Sequence, residues 1–254
     1  MNAAIVFARK EAREILRTWR IWVLPCIVLF LALSGPLLAR YTPEIIGAVA
    51  GNQLGHLTLP TPTYVDAYAQ WIKNLGQIVV IALIIIYGGI VSAETNSGTA
   101  TLVLTKPVSR SAFVVVKAMV QTVFLCALVA LGTLVTWGTT AVVFGTAPAS
   151  GLWRASLVWL VLAVFLLAVM VFFSVLIPAP AGASGAGLGV FLLLTIAALW
   201  PPLAKYSPAG LAGQAADLAT NSHHDWLPWP LVSALALCVL LVAAATLIFR
   251  RREL

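Results

Sequence analysis

The feature that most constrains this chain is a run of fifty consecutive residues, 155–204, that contains no Asp, Glu, Lys or Arg. Shorter uncharged runs accompany it at 21–39, 74–93, 118–153 and 226–249, whereas the uncharged run 45–65 contains Asn52, Gln53 and His56 and is predicted to be an external loop. Only 9% of the residues are charged and 61% are apolar, whereas an ordinary soluble domain is roughly 25% charged. A soluble domain is therefore excluded. Intrinsic disorder is also excluded, because it requires low hydrophobicity. The composition therefore predicts a protein that crosses a membrane several times.

These uncharged runs divide into six spans, because each helical crossing needs about 20 residues. The longest run holds two spans, and the Pro- and Gly-rich stretch 178–187 in its middle is expected to separate them. The alternating polarity of barrel strands is absent, so the predicted fold is an all-α membrane protein with six transmembrane helices. The predicted spans are 22–39, 74–93, 113–138, 155–177, 186–203 and 230–249.

The whole chain, 1–254, is predicted to form one transmembrane domain. Its predicted segments are an N-terminal helix at 1–21, spans 1 and 2 at 22–93 with an external loop at 40–72, a loop at 94–111, spans 3 to 5 at 112–203, an external re-entrant region at 204–229, and span 6 with a basic tail at 230–254.

The Lys and Arg residues predict the orientation, because cytoplasmic loops carry the excess of these residues. With the N-terminus inside, the inner side holds 11 of the 15 basic residues and the outer side holds Arg40, Lys73, Arg154 and Lys205. An even number of spans then places both termini in the cytosol. The net charge of +7 comes from this inner collar and indicates contact with lipid headgroups rather than with nucleic acid.

The first 21 residues are predicted to form an amphipathic helix at the inner membrane surface rather than a cleaved signal peptide. An apolar side recurs at helical spacing, made by Ile5, Ala8, Ala12, Ile15, Trp19 and Trp22. Among the charged residues of this helix, Arg9, Lys10, Arg13, Glu14 and Arg17 are the candidate functional residues. A solvated helix without a specific partner is the alternative interpretation.

The loop after the second span is the most informative stretch. It has no charge between Glu94 and Lys106, and Pro107 must end any helix that precedes it. Ser109 can then cap the third span. Exposure of Leu102 and Leu104 of a short helix to water would be unfavourable. A groove on a second protein is suited to bury these two side chains. The alternative is that this helix packs against the transmembrane helices of its own chain.

This loop, with the pattern E…SGT…LVLTKPVSR..F…K from Glu94 to Lys117, resembles the cytosolic loop of the permease subunits of bacterial type-2 ABC transporters. The tail from Ile248 to Leu254 is similar to the usual ending of that family, whereas Thr95 departs from it because many relatives carry a charge there. The resemblance implies an N-terminal elbow helix, a cytosolic coupling helix and a place in the bacterial inner membrane. The residues that it implies for coupling to an ATPase are Glu94, Gly98, Thr99, Leu102, Leu104, Lys106, Pro107 and Arg110.

The resemblance also implies partners. The chain lacks the G-x-x-x-x-G-K-[ST] phosphate loop, so ATP and Mg would bind to separate ABC ATPase subunits, and this chain would bind no cofactor and be no enzyme by itself. A second permease copy, identical or different, and membrane lipids complete the expected partners, with no nucleic acid. The expected function is that of an exporter permease, and the alternative is a six-span carrier or channel without an ATPase.

Several polar groups inside or beside the predicted spans invite other interpretations. Thr122, Thr133, Thr136 and Thr140 share one face of the third span and are predicted to line a substrate path or a dimer seam, with ordinary helix packing as the alternative. Ser184 in a Gly-Ala-Ser-Gly motif suggests a protease, but the three histidines all lie in predicted external loops. The stretch 223–225, His-His-Asp, is interpreted as a polar loop, and no metal site is predicted.

Overall fold

The computed structural model describes residues 3–17, 20–50, 61–105, 109–221 and 228–251. Throughout these ranges the ordered elements are helices and no strand is present. Six helical segments are long and apolar enough to cross a membrane. The predicted all-α fold with six spans is therefore confirmed, and the protein is a multi-pass membrane protein.

The helices follow one another with short connections. They are α1 Ala3–Arg17, α2 Arg20–Ala50, α3 Tyr64–Asn74, a π-helical turn Leu75–Val79, α4 Val80–Tyr87, α5 Ser92–Asn96, α6 Thr99–Leu104, α7 Arg110–Phe144, α8 Ala149–Leu176, α9 Pro180–Ala197, α10 Pro201–Tyr206, a 3-10 turn Pro208–Gly210, α11 Leu211–Ala219 and α12 Trp229–Arg251. The first span is α2, and the second consists of α3, the π-helical turn and α4. The third to sixth spans are α7, α8, α9 and α12.

The predicted external loop 40–72 is shorter than expected. Helix α2 continues past Arg40, and the second span already begins at Tyr64. A helix satisfies its own backbone hydrogen bonds, so it need not end where the charged residues begin. The new start is capped locally, because the backbone N–H of Thr63 donates to the Asp66 carboxylate at 2.7 Å.

The break before the fifth span is also shorter than the sequence predicts. Only three residues, from Ile177 to Ala179, separate α8 from α9. Pro180 occupies the first turn of α9, where a missing N–H costs nothing. Gly187, inside α9, allows close packing on α8, because a β-carbon there would overlap the side chain of Met170. Helix α9 therefore begins six residues before the predicted start.

Helix α8 lies at the centre of the bundle, with α7, α9, α11 and α12 packed around it. Its Ser156 hydroxyl accepts a hydrogen bond of 3.2 Å from the indole N–H of Trp71, which is fully buried in α3. A β-carbon at Gly132 of α7 would lie 2.6 Å from the Trp71 ring and 2.7 Å from Val28 of α2. Close approach of three spans therefore depends on this glycine.

Replacement of Gly132 by Ala is expected to lower the stability of the bundle by roughly 1–3 kcal/mol through overpacking. A β-carbon at Gly138 in the same helix would have no other atom within 4 Å, so Gly138→Ala is the matched control and is expected to be neutral or slightly stabilising. Thermal unfolding of the two purified variants would check this. Equal melting temperatures would contradict the close packing at Gly132.

The described part of the predicted re-entrant region 204–229 contains short helices at the end of the bundle opposite α1 and the last turn of α12. Helix α11 packs against α8 and α3. Gly210 leads into it, and a β-carbon there would overlap the backbone carbonyl of Ala204. This region therefore closes the bundle at that end through a turn that only glycine fits.

Candidate coupling site at the terminal end

Helix α1 and the last turn of α12 lie at one end of the bundle, here called the terminal end, where three aromatic rings stack. Phe113 of α7 lies between Phe7 of α1 and Phe249 of α12, with ring centroids 5.4 and 5.3 Å apart. All three rings are buried. Stacked rings add to the free energy gained by burial, so the stack holds the N-terminal helix, the third span and the sixth span together.

Beside the stack, a buried lysine bridges two carboxylates from different helices. Lys117 of α7 is 3% exposed. Its ammonium group donates to Glu11 of α1 at 2.8 Å and to Glu94 of α5 at 2.5 Å. A charge at this depth requires such partners, so Lys117 ties the N-terminal helix and helix α5 to the third span.

A second lysine reaches the same carboxylates from the surface. Lys10 pairs with Glu14 at 2.5 Å and with Glu11 at 2.9 Å, and lies 3.7 Å from Glu94. Burial acts to lower the pKa of Lys10, but the bonds to Glu14 and Glu11 outweigh it and raise the pKa above its ordinary value. Lys10, Glu11, Glu14, Glu94 and Lys117 are called the charge cluster below.

The charge cluster contains three carboxylates and two ammonium groups, so its formal charge is −1. Oxygens of Glu11, Glu14 and Glu94 lie within 4.8 Å of one another, a spacing that a cation could span. Lys10 and Lys117 already supply positive charge there, so the carboxylates need no metal ion to stay together. One oxygen of Glu94 is buried without a hydrogen-bond partner among the described residues.

The helix that carries Glu94 is anchored to the fourth span. The chain turns after Tyr87, and the freed backbone N–H groups of Val91 and Ser92 both donate to the Ser174 hydroxyl of α8, at 2.9 and 3.0 Å. Asn96 at the other end of α5 donates to the carbonyl of Pro178 at 2.9 Å. Helix α5 is thus fixed at both ends, which orients Glu94 towards Lys117.

Gly98 forms the joint between α5 and α6. Its φ of +73° is a left-handed conformation that favours glycine. Ser97, Gly98 and Thr99 are exposed, and the hydroxyls of Ser97 and Thr99 lie 2.8 Å apart. The joint therefore presents a small, uncharged surface at the terminal end.

The other predicted coupling residues are distributed as follows. Leu102 and Leu104 belong to α6, and their side chains, like Lys106 and Pro107, lie outside the described residues. The expected cap is present, since the Ser109 hydroxyl accepts from the N–H of Ala112. Arg110 begins the third span and donates to the carbonyl of Arg250 at 3.2 Å.

The N-terminal helix turns a different side to the bundle than its sequence predicts. The buried residues are Phe7, Glu11 and Ile15, whereas Ile5 and Ala12 of the predicted apolar side are exposed. Pairing of Glu11 with Lys117 and stacking of Phe7 decide this rotation. The sequence pattern does not single out Glu11, because a carboxylate in an amphipathic helix is ordinarily assigned to the solvated side.

The charged residues predicted for this helix fall into two groups. Lys10 and Glu14 belong to the charge cluster. Arg9, Arg13 and Arg17 are exposed and can contact headgroups or another chain.

The predicted threonines of the third span lie in two environments. Thr133, Thr136 and Thr140 are fully buried and face helices of this chain. Thr122 is half-buried, near the terminal end. Their role as a substrate path or dimer seam stays a prediction.

The other polar residues considered from the sequence are Ser184, the histidines and Asp225. The Ser184 hydroxyl donates to the backbone carbonyl of Ile84 at 3.3 Å. The three histidines and Asp225 lie outside the described residues.

Two comparisons with known proteins match most or all of the chain. The family described as "Protein of unknown function (DUF2705)" matches residues 57–254, which include the second to sixth spans and the loop between the second and third. The chain is also 25% identical over 261 residues to the "Uncharacterized transmembrane protein YxlG" of Bacillus subtilis (strain 168). That similarity covers 100% of this chain and 99% of the relative, so it includes the N-terminal helix.

Proposed function

The chain belongs to the DUF2705 family, and from the terminal end of its bundle we propose that it is the permease subunit of an ATP-driven ABC exporter. In this proposal the terminal end faces the cytosol of a bacterial cell, and ATP and Mg bind to separate ATPase subunits. The chain itself contributes the path across the membrane and the surface that the ATPase moves.

The observation that carries the proposal is the direct connection from an exposed joint to two other helices. The joint at Gly98 lies four residues from Glu94, and Glu94 is bonded to Lys117 at 2.5 Å. Lys117 is in turn bonded to Glu11. A force applied to α5 and α6 would therefore reach the third span and the elbow helix α1 without passing through a flexible linker.

The surface around the joint suits a protein groove. Ser97, Gly98, Thr99 and Thr105 are exposed and uncharged, while Ala100 is buried. A short helix of this kind can seat in a groove of an ATPase subunit without burying unpaired charge. Differential binding of the ATPase to two arrangements of the bundle would then supply the free energy for transport.

A second permease copy completes the proposed transporter. The fifth span, α9, packs on one side only and leaves Leu192, Leu193 and Ile196 more than half exposed. Such an apolar strip can face lipid or a second copy. The proposal assigns a permease dimer, of identical or different chains, with two ATPase subunits at the terminal end.

The experiment that tests this function is cross-linking from the joint. In a background in which Cys26, Cys126 and Cys238 are replaced by Ser, Thr99→Cys is expected to cross-link to the ATPase subunit that co-purifies with the tagged chain. Val142→Cys, an exposed residue at the opposite end of α7, is the control and should not cross-link to it. Mass spectrometry of the cross-linked band identifies the partner.

Two outcomes would contradict the proposal. Labelling of Thr99→Cys by a membrane-impermeant maleimide added outside intact cells would place the joint on the wrong side of the membrane. Transport or ion current by the purified chain alone in liposomes, with no ATPase present, would favour a carrier or channel.

A further inference from the structure

A groove open to the membrane runs between the third and sixth spans, near the terminal end. It has a volume of about 590 Å³. Its walls are formed by α7 and α12, and the residues that define it are Met119, Thr122, Val123, Val239, Val242 and Thr246. Neither the charge cluster nor the joint at Gly98 contributes to it.

The length of the groove matches one leaflet of a bilayer. The two helices run antiparallel, since Arg110 at the start of α7 contacts Arg250 at the end of α12. The lining residues of α7 extend from Val115 to Val123, a length of roughly 12 Å at 1.5 Å per residue. Half of the hydrocarbon core is about 15 Å thick.

The walls of the groove are mainly apolar, and the hydroxyl groups in them already have hydrogen-bond partners. Its two hydroxyl groups are satisfied within their own helices, because Thr122 donates to the carbonyl of Ala118 and Thr246 to that of Ala243. Val123 and Val239 are 67% and 70% exposed. The groove therefore offers a mainly hydrocarbon surface, to which the thiol of Cys238 also contributes.

An extended acyl chain matches the groove in length and in the apolar character of its lining. The groove is open to the membrane, so its dimensions suit a lipid chain or the side chains of a second copy, and the charge at its end favours the lipid.

Positive charge stands at the terminal mouth of the groove. Thr246 lines the groove, and Arg250 and Arg251 follow one turn later, both exposed. Within the described ranges, neither of these two arginines forms a salt bridge with a carboxylate. A phosphate that lies above the groove would meet both guanidinium groups at the depth of the headgroups.

We propose that this groove binds one acyl chain of an anionic phospholipid from the leaflet at the terminal end, with the lipid phosphate held by Arg250 and Arg251. The lipid joins the third span to the sixth at the same level as the Phe113 stack. The proposal depends on the six spans alone and not on the presence of an ATPase.

Native mass spectrometry of the full-length purified protein tests the headgroup. With dioleoyl phosphatidylglycerol or dioleoyl phosphatidylcholine added, the anionic lipid is expected to be retained more tightly. Arg250→Gln and Arg251→Gln are each expected to weaken phosphatidylglycerol binding about fivefold and to leave phosphatidylcholine unchanged. Arg154→Gln, an exposed arginine at the opposite end, is the charge-matched control and should change neither.

A second pair of variants tests the groove itself. Ala243→Trp fills it and is expected to reduce binding of both lipids, and Val239→Trp serves the same purpose if the first variant does not fold. Val142→Trp, on α7 outside the groove, is the control. Equal retention of the two lipids by the wild type, or undiminished binding when both arginines are replaced, would overturn the proposal. A groove variant that keeps its lipid but changes the oligomeric state would show a protein partner instead.

Discussion

Replacement of Lys117 by Met is expected to destabilise the terminal end by roughly 3–5 kcal/mol. The change leaves the buried carboxylate of Glu11 and the largely buried one of Glu94 beside each other without the ammonium group that both now contact at 2.8 and 2.5 Å. The loss of one partner of a buried ion pair costs more than the pair contributes, because the remaining charge stays desolvated. Thermal unfolding of the purified protein measures the effect.

A matched control and a rescue separate charge from shape. Lys73→Met removes an exposed lysine and is expected to melt like the wild type. The triple variant Lys117→Met, Glu11→Gln, Glu94→Gln has no unpaired charge at these three positions and should regain most of the lost stability. A single Lys117→Met variant that melts like the wild type would show that the cluster does not hold the helices together.

The same triple variant distinguishes a structural from a mechanical role. If the chain is the proposed permease and the bond from Glu94 to Lys117 transmits movement, the rescued protein folds and binds the proposed ATPase but drives little transport. If the cluster only stabilises the fold, transport returns together with the melting temperature.

If the chain is the proposed permease, the Gly98→Pro variant is expected to insert in the membrane normally and to lose at least about tenfold in ATP-driven transport, a coupling loss of about 1.4 kcal/mol. Proline fixes φ near −65°, whereas Gly98 has a φ of +73°. Proline also removes the N–H that Gly98 donates to Thr95 at 3.2 Å. Helix α6 must therefore leave its present direction relative to α5, while the six spans are untouched.

Gly145 provides a control with the same local geometry. Its φ is +74°, and its N–H donates to Ala141 at 3.0 Å, but it lies at the opposite end of the third span. Gly145→Pro is expected to cause similar backbone strain and to leave coupling intact. Equal transport by the two proline variants would contradict the assignment of the joint at Gly98 to coupling.

Charge segmentation predicts the number of spans because a buried charge in lipid is costly and a neutral run is not. It locates their ends poorly. The charge of Arg40 predicts an end to the first span, but a helix can continue into the headgroup region, where an arginine is solvated. The composition of the stretch from Pro178 predicts an open segment, yet proline in a first turn and glycine against a neighbouring helix are both compatible with α9.

Only those parts of the site that lie within one short segment of the chain could be predicted from the sequence. Glu94 is indicated by the resemblance of its loop to a known family, and the cap at Ser109 by its place just before the third span. The bond from Glu11 to Lys117 joins residues 106 positions apart, and no periodicity within either helix encodes that distance. A carboxylate one turn after a buried Phe7 is the signal that could have identified it, because burial of that face requires a cation.

The π-helical turn contains one residue that the second span does not need for regular α-helical winding. The N–H of Val80 bonds to the carbonyl of Leu75, five positions back, so this turn holds one residue more than an α-helical turn. Loss of that residue would restore regular winding with Trp71 and Glu94 in their present phases. Loss of a residue elsewhere in the span would swing everything beyond it by about 100°, so this turn is where the span tolerates a change in length.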